Sequence, residues 1–196
     1  RKSNREPLIS LADLAVEAQY SRDRAERIFA ECSIDCKENT LATGCTFAEV
    51  EVDIPLGKVK VLRLLNVHDS GVLINPKLAE GQVQGGMSMG MGYALSEELL
   101  YDEKGRPLND NLLDYKIPTA LDQPPLEAAF VELEDPSGPF GNKALGEPPA
   151  ISPAPAIRNA VLQATGVAFD TLPLSPQKLV EGFVKAGLLK EVGGHV

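Results

Sequence analysis

Five of the twelve residues from Gly81 to Gly92 are glycine, and they fall inside what otherwise reads as one long helix. Asn75-Pro76 supplies the start, with Asn as N-cap and Pro at the first helical position. The pattern runs from about Lys77 to Leu99. Each interior glycine costs about 1 kcal/mol relative to alanine. A helix with five of them persists only where another backbone or a ligand comes close enough to need them. Gly81 and Gly85 are four apart, as are Gly86 and Gly90, a spacing that joins helices inside membranes. Glu80, Gln82, Gln84, Glu97 and Glu98 exclude a lipid-facing helix here. Met87, Met89 and Met91 read as flexible core filler.

The whole chain has 196 residues, of which 43% are hydrophobic and 24% charged, enough for a core and ordinary for a soluble protein. The net charge of −9 argues against nucleic acid and anionic membrane as partners. No apolar run approaches the length of a membrane span. No leader is evident, and the chain opens without an initiating Met, as a processed or excised piece does. A cytoplasmic location is expected. Cys32, Cys36 and Cys45 fit no common zinc or iron–sulfur spacing and read as reduced thiols. No metal-ligand set is expected.

Ser10 and Asp13 resemble a capping box, and Leu11, Leu14, Ala15 and Ala18 follow at helical spacing, which predicts a helix over 10–19. Residues 27–35 read as a short strand. Thr46, Ala48, Val50, Val52 and Ile54 alternate with Cys45, Phe47, Glu49, Glu51 and Asp53, the mark of a half-buried strand. Pro55-Leu56-Gly57 turns it into a second strand over 58–67, predicting an antiparallel hairpin. Further strands are expected over 112–117 and 126–134, and helices over about 153–164 and 177–186. Gly166 closes the first of these helices. The fold class is α+β: antiparallel hairpins or a mixed sheet packed with a long glycine-rich helix and C-terminal helices.

The segment Asn142-Lys143-Ala144-Leu145-Gly146-Glu147-Pro148-Pro149 sets one carboxylate between a glycine and two prolines. Pro148 biases Glu147 toward extended geometry. A carboxylate on so constrained a backbone can be aimed, as a general base with a reach of about 3 Å requires. An acidic residue favoured by the start of a helix accounts for the same pattern without catalysis. His68-Asp69, at a strand end, are expected to make structural hydrogen bonds.

Three motifs follow one another in order. They are Asn66-Val67-His68-Asp69-Ser70-Gly71 through Ile74-Asn75-Pro76, then Glu80-Gly81-Gln82-Val83-Gln84-Gly85-Gly86, then Lys143-Ala144-Leu145-Gly146-Glu147-Pro148-Pro149. Together with Asn111 to Pro118 and Ile157 to Val161, they resemble the C-terminal part of the molybdenum-binding subunit of xanthine dehydrogenases and related molybdenum hydroxylases. The resemblance spans roughly residues 8–186.

It implies that Glu147 is the catalytic glutamate, taking a proton so that a water-derived oxygen attacks an electron-poor carbon. It places Gln82 on a glutamine that hydrogen-bonds the molybdenum–pterin cofactor. Gly81, Gly85 and Gly86 then let the helix lie close to that cofactor, and Lys143, counted with the cofactor-binding residues, tunes the local charge or positions the loop. Iron–sulfur clusters and FAD are expected on other domains or subunits. The remainder of the molybdenum-binding subunit is the first expected partner and a purine, xanthine or hypoxanthine, the expected substrate. Residues 1–196 then form a single molybdopterin-binding domain, an excised fragment or a split subunit, inactive alone. A non-catalytic binding or assembly module, or a hydroxylase of aldehydes or other N-heterocycles, stays open beside this reading.

Overall fold

The computed structural model describes residues 8–21, 28–33 and 38–190. The chain divides into two compact units, Arg1–Lys37 and Glu38–Val196. In the first, α1 runs over Leu11–Tyr20, and the Ser10 hydroxyl accepts from the Asp13 amide at 3.0 Å, as the sequence predicts. Leu11, Leu14, Ala15 and Ala18 lie on one face and line a groove with Ile28. The strand expected over 27–35 does not form at residues 28–33; its other positions lie outside the described residues.

The second unit is built on a three-stranded sheet of order β1-β2-β3. β1 (Thr43–Asp53) and β2 (Lys58–Asp69) form the expected antiparallel hairpin. Thr46, Ala48, Val50 and Val52 face inward, while Phe47, Glu49, Glu51 and Asp53 are exposed. One irregularity escapes the sequence pattern. Glu49 pairs with Arg63 but Val50 with Val61, so Leu62 is an extra residue in β2. This bulge shifts the inward set of β2 from Val59 and Val61 to Leu64, Asn66 and His68. β3 (Leu126–Phe130) then pairs parallel to β2.

Between β2 and β3 runs α2 (Pro76–Leu95), with the Asn75 side chain accepting from the Leu78 amide at 3.1 Å. It ends four residues short of the expected Leu99. Gly92 O accepts from both Ser96 and Glu97, and Asn109 takes over the following turn through Leu100 N and Glu98 O. Met87 and Met91 are core residues, whereas Met89 is 65% exposed. Residues 112–114 form a turn, and 115–117 continue without a strand. The Asn111 side chain and carbonyl accept the amides of Leu113, Asp114 and Tyr115, a local competitor to a sheet ladder.

A single helical turn, α3 (Pro148–Ile151), leads into α4 (Pro153–Thr165), which Gly166 closes with a left-handed φ of 72°. α5 (Pro176–Lys185) is the last described helix. α2 and α4 pack on the sheet around Val61, Leu64, Val83, Met87, Ile157, Val161, Leu179 and Phe183. The architecture is α+β, with a mixed sheet, the long glycine-rich helix and C-terminal helices. No described helix is long and apolar enough to cross a membrane.

Candidate active site

The end of β2, the first half of α2 and the segment 142–147 meet at one edge of this unit. Gly71, with a φ of 67°, pairs with Asn142, which brings the 142–147 segment alongside β2. The Lys143 amide donates to Ser70 O at 2.7 Å, and the Ser70 hydroxyl donates to Ala144 O at 3.1 Å. From the other side, Gln82 on α2 donates through Nε2 to Gly146 O at 3.0 Å. Two motifs 64 residues apart are thereby joined by a direct hydrogen bond. A cleft of about 280 Å³ lies between these elements and includes Ser70, Gln82, Asn142 and Lys143 in its lining.

Glu147 follows directly. It is exposed, and its side chain has no hydrogen bond or ion pair among the described residues. Its backbone departs from the sequence expectation: φ is −96° and ψ −36°, helical instead of extended. The bias of a pre-proline residue is overridden because Glu147 O accepts from Ala150 N at 2.9 Å, closing the turn of α3. Pro148 and Pro149 occupy positions whose amides need no partner at a helix start.

The glycines divide. A Cβ at Gly86 would lie 2.8 Å from Pro149 Cβ, and one at Gly90 would lie 2.9 Å from both Ala150 O and Pro153 Cβ. Both are buried, and the close approach they allow is that of α3 and the start of α4. This packing accounts for Gly86 without a ligand. Gly81, Gly85 and Gly146 are different: a Cβ on any of them would meet nothing within 4 Å. All three are exposed, so intrachain packing does not explain their helix or loop cost. Bare backbone of this kind, beside the neutral amide of Gln82, fits a group held by close approach and hydrogen bonds, as a pterin is.

Lys143 points inward. Its Nζ pairs with Asp69 Oδ2 at 2.6 Å, and the two side chains are only 10% and 8% exposed. Asp69 Oδ1 also accepts from Gly71 N at 2.9 Å and lies 3.5 Å from Leu133 N. Desolvation drives the Asp69 carboxyl upward, but the Lys143 ammonium and these amides outweigh it and hold it below the usual carboxylate range. The Lys143 ammonium is thus engaged in an internal ion pair.

Beyond Glu147, the Ser152 and Thr46 hydroxyls lie 2.7 Å apart, and Asn66 Nδ2 donates to Thr46 Oγ1 at 2.9 Å. His68 lies two residues along β2, 1% exposed, over Gly44, where a Cβ would clash with its ring at 2.4 Å. Neither ring nitrogen has a hydrogen-bond partner. Burial pushes the imidazole down, opposed in part by the Asp69 charge and the nearby Ala144 carbonyl. The sequence reading of His68-Asp69 as makers of structural hydrogen bonds thus holds for Asp69 only. The sequence reading assigns no site role to Thr46, Asn66 or Ser152. The one available signal was polar residues on the inward face of the strands. Among the described residues no three Asp, Glu, His or Cys side chains converge as metal ligands.

Comparison with known proteins bears on this edge. Residues 3–124 match the family model of the molybdopterin cofactor-binding domain. The chain is 57% identical over 185 residues to a putative xanthine dehydrogenase molybdenum-binding subunit of Escherichia coli, covering 94% of this chain and 25% of that relative. It thus spans about a quarter of the length of such curated relatives. Among solved structures, CO dehydrogenase from Oligotropha carboxidovorans superposes with a TM-score of 0.70 at 31% identity, over 75% of this chain and 19% of that one. Aldehyde oxidoreductase from Desulfovibrio gigas gives 0.67 at 36% identity, over 72% and 15%. With the family model covering more than half its length, the chain belongs to the molybdopterin cofactor-binding family of the molybdenum hydroxylases.

Proposed function

We propose that this chain supplies the catalytic base, Glu147, and one wall of the pterin site of a molybdenum hydroxylase that oxidises a purine such as xanthine or hypoxanthine. The observation that carries the reading is the Gln82–Gly146 hydrogen bond. It fuses the glycine-rich helix and the Glu147 segment into one surface whose open glycines leave room for a ligand. The 57% identity to a xanthine dehydrogenase subunit supports the choice of purine.

When bound, the molybdenum–pterin group supplies two-electron oxidation of an electron-poor carbon with oxygen derived from water. The residues of this chain do the rest on their side. Gln82 has one amide proton engaged with Gly146 O, which leaves its Oε1 and second N–H for the pterin. Gly81 and Gly85 admit the cofactor to the backbone of α2. Glu147, unpartnered here, accepts the proton of the attacking oxygen at hydrogen-bond reach. Exclusion of water, which the exposed carboxylate lacks on this chain, falls to the remainder of the molybdenum-binding subunit. Iron–sulfur and FAD subunits carry the electrons onward, in a cytoplasmic complex.

The test is Glu147→Gln in the intact molybdenum-binding protein that carries this chain. Turnover of xanthine is expected to fall roughly 100- to 10,000-fold, with molybdenum and pterin content unchanged. Near-normal turnover at full cofactor loading overturns the assignment. Parallel assays with an aldehyde substrate decide between the purine and aldehyde classes.

A further inference from the structure

The Glu147 segment carries one ion pair unlike the rest. Every other salt bridge among the described residues has a partner at least 40% exposed. Among the described residues only Asp69–Lys143 has both side chains 10% exposed or less. Burial makes such a pair a poor source of net stability, because desolvation of two charges offsets much of their attraction. What a buried pair contributes is direction. Asp69 has little freedom to turn, since its other oxygen accepts from Gly71 N. Lys143 is held against it by side chain and backbone together, through Asp69 Oδ2 and Ser70 O. Four residues later comes Glu147, with Gln82 bracing the intervening Gly146.

We propose that Asp69 and Lys143 are positioning residues for Glu147: their ion pair sets the path of residues 143–147 and so the direction from which the carboxylate reaches the substrate. The inference rests on the reading of Glu147 as the base. On this view Lys143 acts through the loop, not by touching the cofactor.

Two variants test it in the intact molybdenum-binding protein. Asp69→Asn/Lys143→Met removes both charges together and leaves no buried ion unpaired. Asp69→Glu keeps the charge and displaces the carboxylate by one methylene, so the question stays answerable if the neutral pair does not fold. Amide hydrogen exchange over 143–148 is measured beside kcat and KM for xanthine at matched molybdenum and pterin content.

Exchange in that segment is expected to quicken about 10-fold or more, with the rest of the domain unchanged. The kcat is expected to fall about 10- to 100-fold at unchanged KM, the signature of a misplaced base. Unchanged exchange in the segment overturns the proposal. So does faster exchange throughout the domain with loss of cofactor, which marks a pair that only supports the fold. Glu147→Gln is run in parallel. Full xanthine turnover by that variant sinks the base assignment instead, and the exchange data separate this from failure of the strut.

Discussion

The segment around Glu147 has a packed side and an open side. On the packed side, Gly86 and Gly90 accept Pro149, Ala150 and Pro153, Lys143 meets Asp69, and Ser152 meets Thr46. On the open side lie Gly81, Gly85 and Gly146, with nothing where their side chains would be, and the Glu147 carboxylate with no partner. The residue type is the same and so is its conformational cost. The first set is explained by the chain's own contacts; the second makes no contact within the chain that a side chain would disturb. A motif of glycines therefore holds two kinds of information, and the tertiary contacts separate them.

Substitution breaks or sharpens this contrast. The largest effect belongs to the packed side: Gly86→Ala forces a methyl against Pro149 and is expected to destabilise the protein by about 1–3 kcal/mol, read from the urea midpoint at constant m-value. An unchanged midpoint would mean that α3 is not seated on α2 in solution.

Acid sensitivity belongs to the same side. His68 is buried with its imidazole pushed down, so the unfolded chain binds the proton more readily than the folded one. The stability that its neutral form contributes is complete above the unfolded value of about 6.5 and is lost as pH falls through the folded value. Asp69, also held low, keeps its contribution until pH falls below about 3.9 and through its own folded value. Urea midpoints are therefore expected to decline from about pH 7 to pH 5, and His68→Asn to flatten that decline. A decline of equal slope in the variant removes His68 as its cause.

The smallest effect, and the most discriminating, is on the open side. Gly85→Ala is expected to stabilise the isolated helix geometry by roughly 0.5–1 kcal/mol while lowering pterin content of the intact protein. Higher stability with undiminished pterin would show that this glycine faces solvent and nothing else.

Much of this was legible beforehand where the cause is local. The Asn75-Pro76 start, the Ser10 cap, the alternation of β1, the Gly166 stop and the β1–β2 hairpin each depend on a few neighbouring residues, and each is found. The misreadings arise where another group captures the backbone, whether close by in the chain or far along it. The strand expected over 112–117 yields to Asn111, and α2 stops at Leu95 where Asn109 captures the following backbone. Glu147 is helical because Gly86 leaves space for Pro149 and the α3 turn closes, which outweighs the local preference of a residue before proline.

By itself the sequence determined the β1–β2 hairpin, the helix starts at Ser10 and Asn75, the Gly166 stop and the α+β class, since periodicity, caps and turns act over a few residues. Tertiary structure alone decided which glycines are packed and which are open, that Lys143 turns inward to Asp69, and that Gln82 reaches Gly146. Those outcomes depend on contacts between residues 60 to 74 positions apart, where distance is set by how the sheet and helices pack and not by anything adjacent in the chain.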